Sequence, residues 1–268
     1  MEHSYLYDIR TSANALCTLV NFTGVVPPIW EKYISRQHEF QNDEDLIEYV
    51  VNRYGQFPDD YENWMFIYFH ITTSANNCAS FNRHGILDLR ESYECPDSEL
   101  RQFLDNKGIS INIQEHILRY KGKSYNISYD IPIPPMGTKA YACWSIGRKF
   151  YYDFTTCGFL SIWERSEYGG YVHQRPEILY NIDELLGLDL SHEWYATHDP
   201  YEIVAAIKGS DILYDGFDNS SSKMKILYYL TKAYNTAFGE PFEEIILMKN
   251  HVQVPPNHIL EINPVTYW

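Results

Sequence analysis

Residues 66–86 read FIYFHITTSANNCASFNRHGI, and this stretch decides how the rest of the chain is read. Its opening, together with Trp64 and Met65, is an apolar, aromatic and β-branched run too short for an independent helix, so it reads as a strand. His70 and Thr72 stand two residues apart near its end, and the period-two alternation of a strand puts both on one face. A His and a Thr so placed can hydrogen-bond vicinal hydroxyls such as those of a ribose. The same pair also suits an ordinary sheet rim. A helix-length polar segment then returns the chain through Gly85 and Ile86.

On the N-terminal side the first 60 residues look mainly helical. Residues 42–55, NDEDLIEYVVNRYG, begin with Asn42 and a run of acids, carry Leu46, Ile47, Val50 and Val51 at helical spacing, and stop at a glycine. On the other side residues 95–108 form a second capped helix, with Ser98 as N-cap and Gly108 as its stop. From Ile109 the texture changes. Residues 109–134 alternate apolar and polar around Lys121-Gly122-Lys123, as a hairpin does. AYACWSI (140–146), KFYYDF (149–154) and GFLSIWE (158–164) continue the strand texture. In residues 199–216 Asp199 and Pro200 suit an N-cap and first helical turn, with a short strand at the end. Residues 220–239 make a capped helix, and EEIILM (243–248) a strand. The fold class read from this order is α+β, with a helical N-terminal portion and strands thereafter.

Composition bounds the function. The chain has 268 residues, 45% apolar and 21% charged, and a net charge of −15, which disfavours non-specific attraction to a phosphate backbone or an anionic membrane. IGRKF and RYKGKSY are the short basic candidates, and a solvated loop or strand edge accounts for either. No run reaches the roughly 18 apolar residues of a spanning helix. The N-terminus lacks the pattern of a secretory signal, so a cytoplasmic location is expected. Five cysteines without a CxxC pair fit free thiols in a reducing compartment better than a metal site. In HEWYATH, His192 and His198 are six residues apart, which turns them to different sides of a helix, and surface histidines in a loop is the expected reading. Phosphate-binding glycine loops and a nucleophile elbow are absent from the sequence.

The second informative stretch is residues 243–262, EEIILMKNHVQVPPNHILEI. A carboxylate at the head of a strand can accept a sugar hydroxyl and stabilise positive charge at an anomeric carbon. In this order the two stretches resemble the ADP-ribosyltransferase fold, over roughly residues 64–262. His-x-Thr at a strand end, a helix and a Gly-Ile exit look like that family's first motif. An acid before an aliphatic strand, followed by a proline turn into a later strand, resembles its closing element. GFLSIWERSEYGGY, residues 158–171, occupies the place where the family sets aromatic residues against nicotinamide.

The resemblance implies a split mixed β-sheet core, with residues 1–62 as a helical N-terminal region and 63–268 as the catalytic domain. It implies NAD as substrate. His70 would hold the nicotinamide ribose with support from Thr72, and Glu244 would engage that ribose in an oxocarbenium-like transition state. Tyr152, Tyr168 or Tyr171 would stack on the nicotinamide. Arg175 or Arg148 would contact the pyrophosphate, with a structural ion pair as the equal alternative for Arg175. Phe242 sits where some members carry an acid or a Gln, which argues against arginine-directed modification. The expected protein is a mono-ADP-ribosyltransferase similar to stand-alone bacterial toxins of the toxin–antitoxin and phage-defence kinds. Its acceptor would be protein, RNA or DNA, and an antitoxin protein is a candidate partner. An NAD glycohydrolase and a non-catalytic interaction protein stand as alternatives.

Overall fold

The computed structural model describes residues 5–162, 171–213, 221–239 and 242–265. The chain is mixed α and β with an antiparallel sheet. It divides into two compact units, each woven from three stretches: Met1–Phe69, Cys157–Ser166 and Val204–Met248, and His70–Thr156, Glu167–Ile203 and Lys249–Trp268.

The chain opens with a short strand β1 (Leu6–Tyr7), then helices α1 (Ser12–Thr23), α2 (Pro27–Ile34) and α3 (Asp43–Tyr54). The ends of α3 follow from its sequence: the Asn42 side chain accepts from the Asp45 amide, acids fill the positive first turn, and Gly55 closes the helix. β2 (Met65–Ser74) is the expected strand. It leads into α4 (Ala79–His84), α5 (Leu89–Glu94) and α6 (Glu99–Asn106), the last capped by Ser98 as its sequence indicates.

β3 (Ile109–Asn112), β4 (Ile117–Tyr120) and β5 (Lys123–Asn126) form a three-stranded antiparallel meander. Lys121 and Gly122 both take positive φ between β4 and β5, as a tight two-residue turn requires. Next comes α7 (Lys139–Tyr151), which corrects the strand reading of residues 140–146 and 149–154. Aromatic and Cys content suggested a strand, but Thr138 caps the helix through the Tyr141 amide, and Ala142, Ile146 and Phe150 bury one helical stripe. Gly147 lies on that stripe, where a Cβ would overlap the Ile127 carbonyl, so the helix seats directly on that backbone.

β6 (Cys157–Ser161) is followed by α8 (Glu177–Leu186), α9 (Leu190–Tyr195), β7 (Asp199–Lys208), β8 (Ile212–Leu213), α10 (Ser222–Phe238), β9 (Glu244–Met248) and β10 (Ile259–Pro264). β7 corrects the expected helix after Asp199. Residues Ile203 to Ile207 are all buried, the signature of a covered strand, and Pro200 stands near its start, where its carbonyl accepts from the Val265 amide.

In the first unit the strand order is β7-β2-β6-β9-β8, with β1 parallel to β2. Its core is aromatic: Phe22 meets Trp64 edge-on at 4.5 Å, Phe66 meets Tyr7 and Tyr229 at 4.8 Å each, and the Tyr7 hydroxyl donates to the Tyr229 carbonyl at 2.8 Å. Much of the tyrosine content is therefore structural. In the second unit β10 lies beside β7, and a separate core gathers Leu104, Leu118, Ile127, Ile146, Leu179 and Trp194. His198 belongs to this interior, which corrects its reading as a surface residue. Its ring stacks on Trp194 at 3.5 Å, and its Nδ1 lies 3.0 Å from the Trp194 carbonyl oxygen.

Candidate functional site

In the second unit the end of β2 is built by alternation. Ile71 and Thr73 are buried, whereas His70 and Thr72 are half-buried and share the opposite face. Thr73 accepts from the Trp194 indole at 2.8 Å. The strand is closed off by Glu99, which accepts from the Ser74 hydroxyl at 2.7 Å and the Ala75 amide at 2.7 Å. His70 faces the Phe81 ring of α4 at 6.3 Å. The first motif then meets the closing element. Ile86 and Val254 exchange both backbone hydrogen bonds, at 2.9 and 3.0 Å, in an antiparallel bridge. Gly85 permits it, because its φ of 80° and ψ of −160° suit glycine alone and a Cβ would overlap the Val254 carbonyl.

Arg175 lies in the same unit, on the turn after Tyr171, whose carbonyl accepts from its amide at 3.2 Å. Its guanidinium stands over Tyr180 at 5.2 Å. Its Nη1 is buried and has no hydrogen-bond partner, and no carboxylate among the described residues pairs with it. Tyr171 is exposed, at positive φ. Tyr152 is exposed in a different group, near Tyr129 and beneath Arg148, which also stands over Trp144. Tyr168 lies outside the described residues.

The first unit carries the acid. Glu244 opens β9 and is 7% exposed, with Ile246 and Met248 buried in alternation with it. Its Oε1 accepts from the Tyr228 hydroxyl at 2.9 Å and its Oε2 pairs with Lys232 Nζ at 2.7 Å. Tyr228 and Lys232 are four residues apart on α10 and so share a helix face. That Tyr-x-x-x-Lys spacing was the sequence signal for them, and it went unused. Opposite Glu244 stands Ser161, whose hydroxyl donates to the Phe242 carbonyl at 3.0 Å, and the register shifts between Phe159 and Ser161 in a bulge. Phe69 pairs with Phe159, and Phe159 with Ile245, within the same sheet. The charge of Glu244, after burial itself, helps hold the Tyr7 phenol well above its usual range.

Among the described residues no three His, Cys, Asp or Glu side chains gather as a metal site, and no helix is long and apolar enough to cross a membrane. The chain matches no protein-family model, no curated protein and no solved structure.

Proposed function

We propose that the protein transfers ADP-ribose from NAD to a macromolecular acceptor. The observation that carries this reading is Arg175: a guanidinium with a buried nitrogen, and neither a hydrogen-bond partner for that nitrogen nor a carboxylate partner for the group, is a site for an oxyanion such as a pyrophosphate. The strand-end pair His70 and Thr72 and the strand-head acid Glu244 support it with the two groups a ribose needs.

The chemistry asks little of the protein. The glycosidic bond from C1′ to the nicotinamide nitrogen breaks, and nicotinamide leaves as a neutral base with the bonding pair. Glu244 stabilises the positive charge that develops on the ribose, while His70 and Thr72 hold its hydroxyls. The acceptor nucleophile then bonds to C1′ and loses its proton to solvent. With water as acceptor the same step gives free ADP-ribose. A non-catalytic protein would retain the fold without NAD turnover.

The test uses NAD labelled in its adenylate half, incubated with the purified chain and separate protein, RNA and DNA fractions. Wild type runs beside Glu244→Gln, His70→Ala and Arg175→Ala. Label in one fraction, lost in Glu244→Gln and reduced in Arg175→Ala through a higher KM, is the expected result. Nicotinamide release with no labelled macromolecule assigns a glycohydrolase instead. No release in any fraction overturns the enzymatic reading.

A further inference from the structure

Residues 131–136, Ile-Pro-Ile-Pro-Pro-Met, join β5 to α7 and lie on the surface. Ile131, Ile133 and Met136 are 48%, 69% and 81% exposed, a concentration of large apolar side chains that folding would otherwise bury. The segment is nonetheless held. The Trp144 indole donates to the Tyr129 carbonyl at 2.9 Å just before it. At its other end the Thr138 hydroxyl donates to the Pro135 carbonyl at 2.7 Å, and the Thr138 side chain in turn caps α7.

The sequence fixes the shape between those anchors. Pro132, Pro134 and Pro135 each lock φ near −65°, and each restricts the residue before it to extended backbone. Every residue from Ile131 to Pro135 is thus constrained by its own ring or by the ring that follows, and no peptide bond among the described residues is cis. These restrictions favour a short polyproline II segment over residues 132–135, with Pro132 and Pro135 at PxxP spacing. Lys139 is exposed in the first turn of the helix that follows, and it makes no ion pair among the described residues.

We propose that residues 131–136 are a docking peptide for a partner domain that reads polyproline II: a groove lined by Trp and Tyr rings with an acidic rim. The aromatic groove takes the alternating prolines and isoleucines. The acidic rim complements Lys139, the exposed cation in the first turn of the helix that follows the segment. The reading is independent of NAD, since it uses none of His70, Glu244, Arg148 and Arg175.

The experiment titrates the full chain against two purified probes, a WW domain and a Src-homology-3 domain with acidic rims, by fluorescence anisotropy. Three chains are compared: wild type, Pro132→Ala/Pro135→Ala, and Ile133→Ser. None of these side chains is packed, so unchanged thermal unfolding is expected and confirms folded samples. Saturable binding to one probe, weakened about tenfold in the double variant and also in Ile133→Ser, is the expected result. Wild type binding neither probe more tightly than the double variant overturns the proposal. So does binding that survives both substitutions, which would place the contact elsewhere on the chain.

Discussion

Gly85→Ala puts the junction of the two motifs to a quantitative test. The wild-type backbone, at φ 80° and ψ −160°, sits in a region that costs a non-glycine residue about 1–3 kcal/mol. The added Cβ also overlaps the Val254 carbonyl, so the two strands must part. Parting them forfeits the hydrogen bonds from Ile86 N to Val254 O and from Val254 N to Ile86 O, at about 1 kcal/mol each. The sum is about 3–5 kcal/mol, a large share of what a domain of this size has to lose. Urea unfolding gives the total, and amide hydrogen exchange at Ile86 and Val254 gives the local part. Both amides should exchange faster in the variant by more than global destabilisation accounts for. A loss below about 1 kcal/mol with unchanged protection at both amides would refute the close approach assigned to Gly85.

Other outcomes follow from single contacts. Lys232→Met removes the cation from a buried carboxylate and is expected to cost about 1–3 kcal/mol, discounted because Lys232 is partly exposed. Lys232→Met/Glu244→Gln should recover most of it in urea unfolding, and failure to recover would mean that the pair is not coupled. In native protein at pH 8 a thiol-specific disulfide reagent should reach Cys17 and Cys157 first and leave Cys78 untouched, because Cys78 is enclosed and burial pushes its thiol up to about 12. Burial lowers His198 below its ordinary 6.5, outweighing Glu99 at 3.7 Å and Asp199. As pH falls through about 6.5 the unfolded chain therefore binds the proton first and stability drops. His198→Phe should flatten that part of the stability curve, measured by chemical denaturation from pH 7.5 to 5.5.

The elements legible in the sequence were those whose ends carry their own chemistry. Asn42 with Gly55, Ser98, Ser221 and Lys121-Gly122 mark their helices and turn by local hydrogen bonding and by φ, so neighbours in the chain suffice. The two misread segments depend on distant partners. Tyr141 to Phe150 is rich in residues that favour strands, and it is helical because Thr138 caps it and Gly147 lets it rest on the Ile127 backbone. Asp199-Pro200 has the look of a helix start, yet the run from Ile203 to Ile207 is covered on both faces, and tertiary burial overrides the local preference of Ala205 and Ala206. The candidate residues were legible as positions: His70 and Thr72 on one face of β2, Glu244 at the head of β9. Their surroundings were not. Lys232 and Tyr228 reach Glu244 from a preceding helix, and the burial of Arg175 Nη1 without a hydrogen-bond partner among the described residues is a fact of packing that no spacing announces.

The weaving of each unit from three stretches bears on how the protein comes into being. As the chain leaves a ribosome, the first 69 residues expose β1 and β2 long before β9, made from residues 244 onward, is available to join their sheet. Ile86 waits for Val254, a residue far downstream in the chain. Contacts of such long sequence separation slow folding, because loop closure must be met before pairing rewards it. Until then the aromatic core segments stay open to solvent and to other chains, the condition in which incompletely folded chains aggregate.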